Sequence, residues 1–168
     1  MLQEAIRGNA LFSVDDREIR RPGETRSVES LQEIKQEYQI KYKTDQQVAL
    51  CFIIGADAFI KLPYWHHWRK LFELCHLVIV NRPGSVSIDN LSSLPDELRI
   101  ACQTRQTTAV TELKNSPYGR IFAASTTLLD ISSTAIRSLT ASGKSTRYLL
   151  PEAVINYIDK YGFYAGEK

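Results

Sequence analysis

Four short stretches of this chain carry side chains suited to chemistry. Ile131-Ser132-Ser133-Thr134-Ala135-Ile136-Arg137 places hydroxyls where a helical pattern begins, with Arg137 one turn further along. A helix start offers orphan N–H groups and the positive end of the dipole, and a guanidinium adds a bidentate fork, so this segment suits phosphate. The competing reading is an ordinary Ser/Thr cap. Gly55-Ala56-Asp57 ends an apolar run, which sets Asp57 at a carboxyl strand end, either as the cap of the next helix or as acceptor for a ribose hydroxyl. Trp65, just after Pro63, presents a ring that either packs in the core or stacks on a planar ligand. Asn81-Arg82-Pro83-Gly84 closes a second apolar run, and should lie on the same rim.

Two other motifs resolve to plain structure. Gly143-Lys144-Ser145-Thr146 resembles the end of a Walker loop, but Ser138 stands where the first glycine belongs, and the segment ends a helix where a phosphate loop would start one. His66-His67 and His76 have no HExxH spacing, and no Cys or carboxylate completes a set, so no metal ligands are expected.

An alternating α/β domain would position these residues. Leu2 to Arg7 reads as the tail of a helix stopped at Gly8-Asn9, and Leu11 to Ile19 alternates like a strand. Ser27 suits an N-cap for a helix carrying Val28, Leu31, Ile34 and Tyr38, with Ser30 and Glu33 as a second capping pair. Val48 to Ile54 is a continuous apolar run, as in a parallel strand buried on both faces. A helix opened by Pro63 carries Trp65, Trp68, Leu71 and Phe72, and the apolar run His76 to Val80 follows. Then come a weak helix near Pro95 to Gln106, a short strand at Arg120 to Ala124, a helix from Ser132 or Ser133 to Gly143, and a last helix opened by Pro151 and ended by Gly162.

Composition bounds the answer. The 168 residues hold 21 Lys plus Arg against 19 Asp plus Glu, a net charge of +2, with 43% hydrophobic residues. One core fits that length, and a single domain spanning residues 1–168 is expected. The near-neutral charge gives no long-range field toward nucleic acid or an anionic membrane, so an acidic ligand must be held by local donors. Three widely spaced cysteines without a CxxC pair fit a reduced, cytoplasmic setting, and no apolar stretch reaches the length of a membrane span.

Taken together, VDDREIRRPG, GADAFIKLPYWHHW, HLVIVNRPG, ISSTAIR and YLLPEAVINYIDKYGFY resemble the bacterial nicotinate-nucleotide adenylyltransferase family of the nucleotidyltransferase superfamily, over nearly the whole chain. The resemblance implies a Rossmann-like, doubly wound parallel sheet of the nucleotidyltransferase type. It implies transfer of the AMP part of ATP to nicotinate mononucleotide, with Mg²⁺ on the ATP phosphates and without a covalent intermediate, as a step of NAD synthesis. It implies that Trp65 stacks on the pyridine ring, that the backbone around Trp65 and His66 meets the nicotinate carboxylate, and that Asp57 serves the ribose side. Asn81 and Arg82 would line the nucleotide cleft, and Ser132, Thr134 and Arg137 would bind phosphate.

Two departures accompany the resemblance. The family's PSYT-like segment reads Glu24-Thr25-Arg26-Ser27 here, so Ser27 keeps a hydroxyl while Arg26 replaces an aromatic. The family's opening GGTFDPxHxGH segment, with histidines that bind the triphosphate, has no counterpart in the sequence. The expectation is a domain lacking its N-terminal unit, with no catalytic residue of its own to name, and poorly active or inactive as written. A superfamily enzyme using nicotinamide mononucleotide or phosphopantetheine as acceptor, and a non-catalytic nucleotide-binding fragment, are the alternatives.

Overall fold

A computed structural model describes residues 1–42, 48–81, 91–127 and 129–166. In chain order the helices are α1 (Leu2–Ala5), α2 (Arg17–Arg20), α3 (Ser27–Tyr42), α4 (Ala56–Ile60), α5 (Leu71–Leu74), α6 (Asp96–Arg105), α7 (Val110–Asn115), α8 (Ser133–Ala141) and α9 (Glu152–Tyr161). The strands are β1 (Cys51–Gly55), β2 (His76–Val80), β3 (Gln106–Thr107) and β4 (Ile121–Ala124). The chain divides into two compact units, one of Arg17–Leu129 and one of Met1–Asp16 with Asp130–Lys168.

The Arg17–Leu129 unit is built on one sheet in the order β1-β2-β4-β3, parallel throughout. Parallel strands need covered crossovers, and the connecting helices supply the cover. Phe59, Leu62, Leu71, Leu77, Ile79, Leu98 and Ile121 are fully buried and form the centre of the core. The architecture is the alternating α/β fold that the pattern predicts, and it is Rossmann-like, as the family resemblance implies.

Local corrections follow the same physics. β1 is an edge strand: Cys51 is exposed and Ile53 is 64% exposed, so the run from Val48 is not covered on both faces. Leu11 to Ile19 forms no strand; Leu11 and Phe12 are exposed with no ladder partner, and the end of the segment turns into α2. That short helix buries no residue and is fastened to α3 by charge. Arg17 donates Nη2 to Glu37 Oε2 at 2.8 Å, Arg21 Nη2 reaches Glu33 Oε1 at 2.8 Å, and the Ser30 hydroxyl donates to Glu18 Oε1 at 2.6 Å while accepting from Arg21 at 3.2 Å. Ser30 and Glu33 are therefore fasteners rather than a capping pair.

Ser27 is the first helical residue of α3, and the cap position belongs to Arg26, whose carbonyl accepts from Glu29 N–H at 3.0 Å and Ser30 N–H at 3.2 Å. The helix expected from Pro63 breaks into 3₁₀ turns at Leu62–Tyr64 and Trp68–Lys70 before α5. His67, with φ at 49° in the left-handed region, turns the chain between them. β2, α6, α8 and α9 stand where the sequence places them, within a residue or two at their ends.

His76 at the start of β2 is fully buried and clamps the approach to β4. Its Nδ1 accepts from Arg120 N–H at 3.1 Å, so Nε2 carries the proton and donates to Ser116 O at 2.8 Å. The thiols of this unit are free. Burial pushes Cys75 up from an ordinary 9.0 to about 12, with Cys51 adding to the rise, and pushes Cys102 up to about 11. Native chain treated with a thiol-directed alkylator at about pH 8 is expected to label Cys51 alone, and all three thiols once denatured, by mass spectrometry. Rapid native labelling of Cys75 or Cys102 would contradict this packing. Because both buried thiols resist ionising when folded, stability intact below pH 9.0 falls as the pH climbs toward 11 to 12.

The second unit holds α1, α8 and α9, with α1 against α9. α9 ends on Gly162 in the left-handed conformation, a helix stop that requires φ of +64° and therefore suits glycine.

Candidate functional site

The parallel register fixes one rim. Gly55 pairs with Val80, so Ala56-Asp57 and Asn81 leave the sheet side by side at its carboxyl end. Asp57 is exposed in the first turn of α4, whose cap position is Gly55, so it is not that helix's cap. Its carboxylate lies in the first turn, where the positive end of the helix favours negative charge. Asn81 is half-buried, and its Oδ1 has no hydrogen-bond partner among the described residues, a polar atom that a ligand hydroxyl or amide would satisfy. Arg82 lies outside the described residues.

A separate hollow of about 220 Å³ is lined by Thr25, Arg26, Ser27, Val28, Trp65 and His66. Two segments 40 residues apart make it: the start of α3, and the turn after Leu62–Tyr64. Trp65 is half-buried, braced by Phe52 of β1 with ring centroids 6.5 Å apart, and its N–H is committed to Leu62 O at 2.9 Å. Trp65 packs against the core and also lines the hollow. Ser27, Trp65 and His66 are thereby brought together, while Asp57 is not part of that lining.

Arg26 is the residue that sequence reasoning treated only as a departure. Its Nη1 donates to His66 Nε2 at 2.9 Å, and Nη2 to Glu24 Oε2 at 3.1 Å. No local signal announces this, because the partners are far apart in sequence. Guanidinium has no acceptor, so His66 Nε2 accepts and the ring proton sits on Nδ1. The imidazole is held below its ordinary 6.5, first by loss of surrounding water, then by the Arg26 charge and by His67, with Glu29 and Glu24 opposing. At neutral pH the hollow therefore contains a neutral imidazole and one fixed positive charge.

In the other unit, α8 opens as expected: Ser132 caps it, accepting from Ala135 N–H at 3.1 Å. Arg137 Nη2 donates to Thr134 Oγ1 at 3.3 Å, and both are exposed. A hollow of about 280 Å³ lies beside this helix start, with Ser132, Ser133 and Arg137 on its polar side and Leu150, Val154 and Ile158 on its apolar side. Polar donors facing an apolar wall suit a phosphate attached to a ring system. Capping uses one lone pair of the Ser132 hydroxyl and leaves its O–H free to donate, beside the neighbouring N–H groups and Arg137. Among the described residues no group of three His, Cys, Asp or Glu is arranged to hold a metal ion, and no helix is long and apolar enough to cross a membrane.

The cytidylyltransferase-like family model matches residues 1–139, which include the whole parallel sheet and the Ser-capped start of α8, and this sets the chain in the nucleotidyltransferase class. Within that class the chain belongs to the nicotinate-nucleotide adenylyltransferase family. It is 38% identical to a probable nicotinate-nucleotide adenylyltransferase of Methylococcus capsulatus, over 92% of this chain and 68% of that protein. It is 37% identical to the Yersinia pestis protein of the same name, over 99% of this chain and 71% of that one. Among solved structures, Plasmodium falciparum nicotinic acid mononucleotide adenylyltransferase complexed with APC is similar in fold, with a TM-score of 0.53 and 16% identity. That match covers 85% of this chain and 60% of the solved one.

Proposed function

We propose that this chain joins nicotinate mononucleotide to the AMP part of ATP, releasing pyrophosphate and giving nicotinate adenine dinucleotide for NAD synthesis in the cytoplasm. The observation that carries the reading is the Trp65 hollow, which offers a flat aromatic wall and a fixed positive charge to a planar anion. In the reaction, a phosphate oxygen of the mononucleotide attacks the α-phosphorus of ATP, and the bond to the pyrophosphate oxygen breaks. No side chain need become covalently attached, so the chain's contribution is alignment and charge. Trp65 and Ser27 would fix the pyridine end. Asp57, Asn81 and, beyond the described residues, Arg82 would hold the nucleotide along the strand ends. Ser132, Thr134, Arg137 and the N–H groups of the helix start would hold the ATP phosphates, on which Mg²⁺ enters with its substrate.

Pyrophosphate release measured with ATP, Mg²⁺ and each acceptor in turn tests the reading, alongside quenching of tryptophan fluorescence. Nicotinate mononucleotide is expected to be the preferred acceptor over nicotinamide mononucleotide, with none of the signal from phosphopantetheine. Preference for either of the others overturns the acceptor. Quenching by nicotinate mononucleotide with no product would make the chain a nucleotide-binding fragment.

A further inference from the structure

We propose that Arg26 is a specificity-determining residue: its guanidinium reads the carboxylate of a ring stacked on Trp65, and so separates a pyridine carboxylate from its neutral amide. This rests on the reading of the hollow as the acceptor site. The hollow, at about 220 Å³, is smaller than the ~300 Å³ that begins the range for drug-sized ligands, so it takes one ring with its substituent rather than a whole nucleotide. Recognition of that substituent must come from the few polar groups lining it. The Trp65 N–H is already spent on Leu62 O, which removes one backbone donor from the task.

Arg26 is placed to supply what is missing. Its backbone is pinned at the cap of the 16-residue α3, and its side chain reaches back to His66 across the hollow. Neither present partner demands the charge. His66 is a neutral acceptor at one nitrogen, and Glu24 is a carboxylate whose side chain is 83% exposed, where an ion pair is weak and exchangeable. A ligand carboxylate would take both Nη donors in a fork, with charge on each side of the bond. A carboxamide accepts at one oxygen only and turns an N–H₂ toward the guanidinium, so it gains less. His66, released from Arg26, keeps a free acceptor for water or for a ribose hydroxyl.

The test compares the unmodified chain with Arg26→Gln and Arg26→Lys, titrating each with nicotinate mononucleotide and with nicotinamide mononucleotide by tryptophan fluorescence. Thermal melting of each variant establishes that it is folded. Arg26→Gln is expected to weaken binding of the acid about 10- to 30-fold while changing the amide by less than about 3-fold, since charged hydrogen bonds are the ones lost. Arg26→Lys is expected to fall between, keeping the charge but not the fork. An equal loss for both ligands, or no loss for either, overturns the assignment while the acceptor site stands. If the unmodified chain binds neither mononucleotide, the acceptor reading fails and takes the role of Arg26 with it.

Discussion

Trp65→Ala is expected to weaken binding of nicotinate mononucleotide about 100-fold, the largest effect of any single change in the acceptor hollow. A base or pyridine stacked on an aromatic side chain gains roughly 1–3 kcal/mol, and the buried apolar area of the indole adds to it. Two such contributions lie near ~2.7 kcal/mol, which is about two decades in dissociation constant. The ring is braced by Phe52 at 6.5 Å and the Trp65 main chain is fixed by its backbone N–H on Leu62 O, so truncation removes a wall that the backbone keeps in position. Trp65→Phe preserves a smaller π-face and is expected to lose roughly 10-fold or less. Calorimetric titration suits the measurement, because Trp65 itself is the optical probe. An alanine variant that melts like the parent and binds unchanged would remove Trp65 from the site.

The second large effect concerns stability. His76→Leu fills a similar space but takes the partners from Ser116 O and the Arg120 N–H, both part-buried, at roughly 1–3 kcal/mol for each group. Because both groups are part-buried and can regain water, a loss of about 2–4 kcal/mol, the lower part of that sum, is expected in denaturant unfolding. His76→Gln keeps a donor toward Ser116 and should recover part of it. The imidazole ties β2 to the chain that leads into β4, where Gly119 also bonds to Cys75 O at 3.0 Å, so the damage is predicted to spread along the β2–β4 pairing. A change of under about 0.5 kcal/mol for His76→Leu would show that water or local rearrangement replaces the clamp.

The regular parts of this fold are legible because their signals are local. β2 is a five-residue apolar run between breakers, and the sequence reads its ends correctly. α6 and α9 each follow a Pro, α9 ends on Gly162, and α8 opens on the Ser132 cap. Where a segment's fate depends on distant partners, the pattern misleads. Leu11 to Ile19 alternates like a strand, yet no neighbouring strand accepts it, and Arg17 and Arg21 draw its end onto α3. The Trp65 to Phe72 stretch has helical spacing, but the left-handed turn at His67 divides it. β3 has two residues, too few to form a pattern.

The same division runs through the candidate site. Ser132, Asp57, Trp65 and Asn81 are visible as residue types at element ends, and the structure sets Asp57 beside Asn81 and Trp65 beside Ser27. The pairing of Arg26 with His66 spans 40 residues and exists only in three dimensions. Its spacing carried no signal, while its identity, an arginine where the family has an aromatic, did.

The charged fastening of α2 to α3 reaches further than its size suggests. α2 buries nothing, so its attachment depends on Arg17, Arg21 and three glutamates of α3 rather than on excluded water. Dissolved ions weaken that kind of bond and leave the apolar core almost untouched. The loop after α2 is the one that delivers Thr25, Arg26 and Ser27 to the wall facing Trp65. Rising ionic strength is therefore expected to loosen the wall facing Trp65 before it touches the sheet.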